Sequence, residues 1–173
     1  PLTALLWLIA WIEAGQGSYT DIRVGQGGRL FRCLKIRTMH CGVRRGCAAR
    51  KLRDDPRVTR FGRFLRRTSL DELPQLICVL KGEMSLVGPR PIVCPGIGGY
   101  DGDRAYYHHP DFKFYARSTP GITGLWQVSG RASTTHDERV RLDRWYARNW
   151  SMWLDIYVLF KTFGAVLGRT GSR

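Results

Sequence analysis

The chain has 173 residues, a formal net charge of +14, 43% hydrophobic and 12% aromatic residues. That length and apolar content suit one domain with a sizeable core and exclude wholesale disorder. The 28 Lys and Arg against 14 Asp and Glu, with Arg dominant and able to grip phosphate bidentately, point to a polyanionic partner: nucleic acid, anionic lipid or a nucleotide. The five cysteines, Cys33, Cys41, Cys47, Cys78 and Cys94, show no C-x-x-C pair and no zinc-finger spacing, so reduced thiols are expected.

PLTALLWLIAWIEAG opens the chain. Its apolar run of about 11 residues makes roughly 17 Å of helix, too short for a hydrocarbon core of about 30 Å, and it lacks the charged start and cleavage site of a signal peptide. Trp7 and Trp11 favour an interfacial or re-entrant piece over a plain core helix. Ser18–Val24 and LFRCLKIRTM, joined by Gly25-Gln26-Gly27-Gly28, read as a hairpin. That glycine turn is no dinucleotide loop, because no helical run follows it.

Residues 40–58 read as loop or irregular helix. From Thr59, RFGRFLRR places Phe61, Phe64 and Leu65 on one helical face and Arg60, Arg63 and Arg67 on another. Ser69 and Glu72 have the S-x-x-E spacing of a capping box, predicting a helix from Ser69 to about Leu80, with Pro74 in its second turn. MSLVGPRPIV reads as loop and extended chain, residues 101–117 as a short helix, and Pro120-Gly121 as a turn before a short apolar strand. His136–Arg148 and the aromatic tail from Ser151 read as helices, the tail packing into a core or lying in a membrane interface.

The chemistry centres on SLDE. If Ser69 caps a helix, Asp71 and Glu72 occupy its first turn, where unpaired N–H groups and the dipole keep acids ionised and also attract phosphate. Asp71 is then a carboxylate nucleophile, and Glu72 with Asp71 offers hard oxygens for Mg²⁺, which commonly takes one or two carboxylates plus substrate phosphates. Arg66 and Arg67 before this pair, and Arg90 in GPRP after it, supply cations to neutralise a diphosphate. A purely structural box remains the alternative from spacing alone.

LKIRTM, RRTSLDELPQLICVLKGEMSLVGPRP, TPGITGLWQVSGR and LDRWYARNWSMWLDIYVLFKT resemble successive blocks of the bacterial sugar transferases, the monotopic phosphoglycosyl transferases, across residues 23–170. The resemblance implies an α+β fold: a small, helix-rich catalytic domain over residues 15–173 with a short β-hairpin, a partial re-entrant membrane helix over residues 1–14, and interfacial amphipathic helices. It implies transfer of a sugar 1-phosphate from a nucleoside diphosphate sugar, usually a UDP-sugar, to polyprenyl phosphate, the first membrane step of exopolysaccharide or O-antigen assembly, at the cytoplasmic face of the bacterial inner membrane.

On these blocks Asp71 is similar to the family's aspartyl nucleophile and Glu72 to its Mg²⁺-associated partner. Arg66 and Arg90 match arginines that meet phosphates, and Lys35 matches the basic residue of a K-F-R-T-M block. Gln75 and Pro91 match further positions of that substrate region. The chain departs from the family at Gly15–Asp21, which lacks a usual Pro and paired Phe, and at Ile36, where Phe is usual; neither touches the acid pair. The rivals are an inactive scaffold of the same fold, opposed by the intact Asp71, Glu72, Arg66 and Arg90, and a nucleic-acid-binding module, opposed by the lack of any such signature. The sugar and the oligomeric state are left open.

Overall fold

The computed structural model describes residues 1–41, 55–94, 103–130 and 135–167. Apolar helix α1 (Leu2–Ala14) ends at Gly15, whose φ of 79° supplies the left-handed residue that closes a helix. The expected hairpin forms as β1 (Ser18–Val24) and β2 (Leu30–Ile36), in antiparallel register from Ser18 opposite Ile36 to Val24 opposite Leu30. The turn between them uses positive φ at Gly27 and Gly28. A second, parallel pair joins β3 (Ser85–Val87) to β5 (Gly121–Thr123). Between these in sequence, β4 (Ile92–Val93) adds to the free edge of β1, giving the sheet order β2-β1-β4.

Basic helix α2 (Arg60–Thr68) begins at Thr59, whose hydroxyl accepts from the Gly62 N–H at 2.8 Å. The Glu13 carboxylate at the end of α1 also accepts from the Phe61 N–H, an acid meeting a helix N-terminus. Leu6 and Ala10 of α1 bury against Ile36 and Leu65. The rest of α1 stays largely outside: Leu2, Leu5, Trp7, Leu8, Trp11 and Ile12 are exposed. Among the described residues no helix is long and apolar enough to cross a membrane.

Short helices α3 (Leu76–Leu80), α4 (Arg104–Tyr107), α5 (Phe112–Arg117) and α6 (Leu125–Val128) precede two long ones, α7 (His136–Arg148) and α8 (Met152–Leu167). The architecture is thus α+β, as expected. The strand expected after Pro120-Gly121 begins at Gly121 itself and lasts three residues, with Gly124 leading into α6. The Ser151 hydroxyl accepts from the Leu154 N–H at 3.2 Å and so starts α8 as the sequence suggests. Val158 is fully buried while Trp153, Phe160 and Phe163 are exposed, so the tail helix is half core and half surface.

The S-x-x-E box is not at Ser69. Ser69 adopts left-handed φ 57° and ψ 17°, makes no side-chain cap, and closes α2, its N–H reaching the Arg66 and Leu65 carbonyls. A residue in that conformation closes the preceding helix, and Ser69 starts the next segment through its carbonyl alone, which accepts from the Glu72 N–H at 3.2 Å. Leu70–Gln75 is a 3-10 segment that holds Pro74, followed by α3. The reciprocal box lies at Thr135 and Glu138, at the head of α7. The expected loop over 40–58 falls largely outside the described residues, as does Cys47.

One core cluster joins Val24, Ile92, Tyr106, Tyr115 and Val140. Beside it Asp143, on α7, is almost fully buried and accepts from the Tyr106 hydroxyl at 2.9 Å. Burial pushes its carboxyl up to about 6, against the pull of Arg139 and the Tyr106 hydrogen bond. A raised carboxyl binds its proton more tightly in the folded chain, so its contribution is fully present below about pH 4 and is lost as pH rises through about 6. That loss is on the order of 3 kcal/mol. Asp143→Asn keeps an acceptor for Tyr106, and urea unfolding from pH 4 to 7 is expected to show the variant losing this part of the wild-type decline.

Candidate active site

Asp71 and Glu72 stand on the 3-10 segment between α2 and α3, which packs across β2. The Glu72 side chain, 13% exposed, accepts from Lys35 Nζ at 2.7 Å, and Arg90 Nη2 approaches the same Oε1 at 3.5 Å. Lys35 comes from β2 and Arg90 from the loop between β3 and β4, so three separate chain segments converge on one carboxylate oxygen. Glu72 is the main influence holding the Arg90 guanidinium above its ordinary range.

The Asp71 carboxyl is raised above the usual carboxylate range, chiefly by burial and further by Glu72, while Lys35 and Arg66 pull it down. For Asp71 this departs from the expectation of a helix N-terminus that favours the charged form. The segment is too short and too tightly wound to offer a developed dipole, so the cations carry that task. Arg66 sits on the other flank, its Nε donating to the buried Thr38 hydroxyl at 2.8 Å.

Gln75 is buried at the end of the same segment. Pro91 is also buried, and its carbonyl accepts from Arg23 Nη1 at 2.9 Å, tying the GPRP loop to the hairpin. The structure therefore gathers Lys35, Arg66, Asp71, Glu72 and Arg90 in one place, while Gln75 and Pro91 are buried in the segments that carry Glu72 and Arg90. Mg²⁺ suits the donor set: two adjacent carboxylates provide hard oxygens, and such an ion completes its shell with phosphate oxygens and water. Among the described residues no cluster of three or more His, Cys, Asp or Glu forms a dedicated metal cage.

Arg139 is the residue that sequence reading misses. It is 7% exposed on α7, donates to Asp103 Oδ1 at 2.8 Å and to the Arg90 carbonyl at 3.0 Å, and lies between the Tyr106 and Trp126 rings at 4.9 and 4.8 Å. The Asp143 carboxylate lies 3.8 Å from its Nε. Arg139 thus fixes the backbone of the loop that presents Arg90. The i,i+4 pairing of Arg139 with Asp143 is visible in the sequence, but nothing there says that this face of a highly charged helix turns inward. A planar fork between two rings is not replaceable by an ammonium. Arg139→Lys is expected to lose about 2–3 kcal/mol, nearly as much as Arg139→Met, in urea unfolding.

The GPRP loop is also held from the other side. Gly88 N–H donates to the Thr123 carbonyl, and Gly121 N–H to the Pro89 carbonyl, each at 2.9 Å. The TPGITG block therefore braces GPRP from below.

A family profile described as bacterial sugar transferase matches residues 1–169. The chain belongs to the bacterial sugar transferase family. It is 47% identical, over 99% of its length, to the UDP-galactose-lipid carrier transferase of Erwinia amylovora, and 45% identical, again over 99%, to the undecaprenyl-phosphate galactose phosphotransferase of Salmonella typhimurium. It spans 38% of the length of each of these two sugar transferases. The exopolysaccharide production protein ExoY of Rhizobium meliloti, 41% identical over 99% of the chain, is matched over 80% of its own length.

Proposed function

We propose that this chain forms the catalytic domain of a phosphoglycosyl transferase, moving a hexose 1-phosphate from a UDP-sugar to polyprenyl phosphate in exopolysaccharide or O-antigen assembly. The observation that carries this reading is the half-buried Asp71 beside a Glu72 clamped by Lys35 and Arg90, in a family whose similar members are named for sugar transfer to undecaprenyl phosphate or a lipid carrier.

In the first step an Asp71 oxygen attacks the phosphorus bonded to the sugar. The bond from that phosphorus to the nucleotide phosphate breaks, and UMP leaves with the electron pair. In the second, an oxygen of polyprenyl phosphate attacks the same phosphorus and the Asp71–phosphorus bond breaks, giving the polyprenyl diphosphate sugar and restoring the carboxylate. Lys35, Arg66 and Arg90 stand around the dyad as fixed positive charges, which favour the charge that gathers on phosphoryl oxygens and on the leaving group. Asp71 and Glu72 would hold Mg²⁺, whose chemistry is to neutralise the diphosphate.

Exposed α1 and the outward aromatics of α8 suit a chain seated on a lipid surface, with α1 as an arm of a re-entrant membrane helix and residues 15–173 as the catalytic domain on the cytoplasmic face of the inner membrane. The test is incubation of the full-length protein with a panel of UDP-hexoses and Mg²⁺, with and without EDTA. The expected result is UMP release with one productive sugar and a hexose phosphate mass on the peptide containing Asp71, both lost on chelation. Failure across the panel returns the chain to the scaffold reading.

A further inference from the structure

Asp103 immediately precedes α4, where an aspartate ordinarily caps the helix with its own side chain. It makes no such cap. Its oxygens go elsewhere: Oδ2 accepts from the Val93 N–H at 2.9 Å, and Oδ1 from Arg139 Nη1 at 2.8 Å. The other terminal nitrogen of that guanidinium, Nη2, donates to the Arg90 carbonyl at 3.0 Å. One acid and one base thereby grip both ends of residues 90–93, and the Tyr115 hydroxyl accepts from the Ile92 N–H between them at 3.1 Å. Both side chains of the pair are largely buried, so water competes little for these bonds.

We propose that Asp103 is a positioning residue of the transfer reaction: with Arg139 it fixes residues 90–93, and so the place of the Arg90 guanidinium against Glu72 and the substrate phosphates. The inference rests on the reaction proposed above. Arg90 approaches Glu72 at 3.5 Å, against 2.7 Å for Lys35, so its own side-chain contact is the looser of the two and its backbone must set where it stands. Asp103 also acts on Arg90 by charge, as the next anion after Glu72 in holding that guanidinium above its ordinary range. A cation stabilises developing phosphoryl charge only if it is already in place when the charge appears. Asp103 makes and breaks no bond in either step; it acts through Arg90.

The test uses the full-length protein with its productive UDP-sugar and Mg²⁺, following UMP release. Asp103→Asn keeps an acceptor for Val93 and removes the charge that holds Arg139; kcat should fall by roughly tenfold or more. In an Arg90→Gln background, itself slower, the same substitution should change kcat no further, because the residue it acts through is gone. An equal fall in both backgrounds marks a merely structural carboxylate and overturns the proposal, as does an unchanged kcat in Asp103→Asn alone. If Asp103→Asn does not fold, Asp103→Glu, which keeps the charge and lengthens the arm, carries the same cycle. Hydrogen exchange is the second measurement: the Ile92 and Val93 amides should exchange about tenfold faster in the Asp103 variant than in wild type. Faster exchange there in a protein whose wild type releases no UMP from any UDP-sugar keeps the clamp on Arg90 and overturns the reaction. UMP release with unchanged exchange at those amides overturns the clamp and keeps the reaction.

Discussion

Asp71→Asn is expected to lower sugar phosphate transfer by roughly three orders of magnitude or more, the scale on which removal of a covalent nucleophile acts. A carboxamide has nearly the same shape and is a far weaker nucleophile. Burial already disfavours the charged form of Asp71, so the neutral side chain costs the fold little and thermal unfolding should match wild type within about 0.5 kcal/mol. That combination, an intact fold without UMP release or an adduct on the 69–76 peptide, is the expected result. A variant that still transfers at the wild-type rate would remove Asp71 from the chemistry and leave Glu72 and its cations as a structural knot.

Gly124→Ala and Gly121→Ala should each lose about 3 kcal/mol, which in a domain of this size lowers Tm by roughly 6–12 °C. Neither glycine has a positive φ; space is the reason. A carbon added at Gly121 would meet the Gly88 nitrogen, one at Gly124 the Gly88 carbonyl oxygen, and one at Gly88 the Thr119 carbonyl oxygen, each closer than real contacts come. Every one of these obstacles is main chain, which has no rotamer by which to step aside. Relief would move the GPRP loop, and Arg90 with it, away from Glu72. Gly164→Ala is the contrast: α8 offers open space around that glycine, and the substitution should stabilise by about 0.5–1 kcal/mol. Differential scanning calorimetry of the three variants reads the opposite signs directly.

The long elements were legible because their periods are local. α2, α7, α8 and the β1–β2 hairpin follow from apolar spacing and from the glycine turn at 25–28. The acid pair was legible too, as adjacent charges against a basic background. The Ser69 box failed for an instructive reason: S-x-x-E fits there and T-x-x-E fits at Thr135, and spacing cannot tell which residue follows straight on from a preceding helix. Ser69 does, and so takes the left-handed closing position. Lys35 reaching Glu72 and Arg139 reaching the Arg90 carbonyl span 37 and 49 residues; such contacts belong to the tertiary fold, and the family blocks pointed at Lys35 where local pattern could not. Arg139 had no such pointer, since one more arginine in HDERVRLDR looks like solvated surface until the rings of Tyr106 and Trp126 enclose it.

The tight winding of Leu70–Gln75 bears on how the two acids divide their labour. With about three residues per turn, successive side chains on that segment diverge by roughly 120°, so Asp71 and Glu72 leave the backbone at different angles and meet the same lysine differently: Lys35 bonds Glu72 at 2.7 Å and acts on Asp71 through its charge. The second is locked by Lys35, which leaves the first as the arm that can reach a reacting phosphorus. Order is therefore meaningful here: a chain with the two acids exchanged would keep every charge and yet change the length of the side chain that meets Lys35.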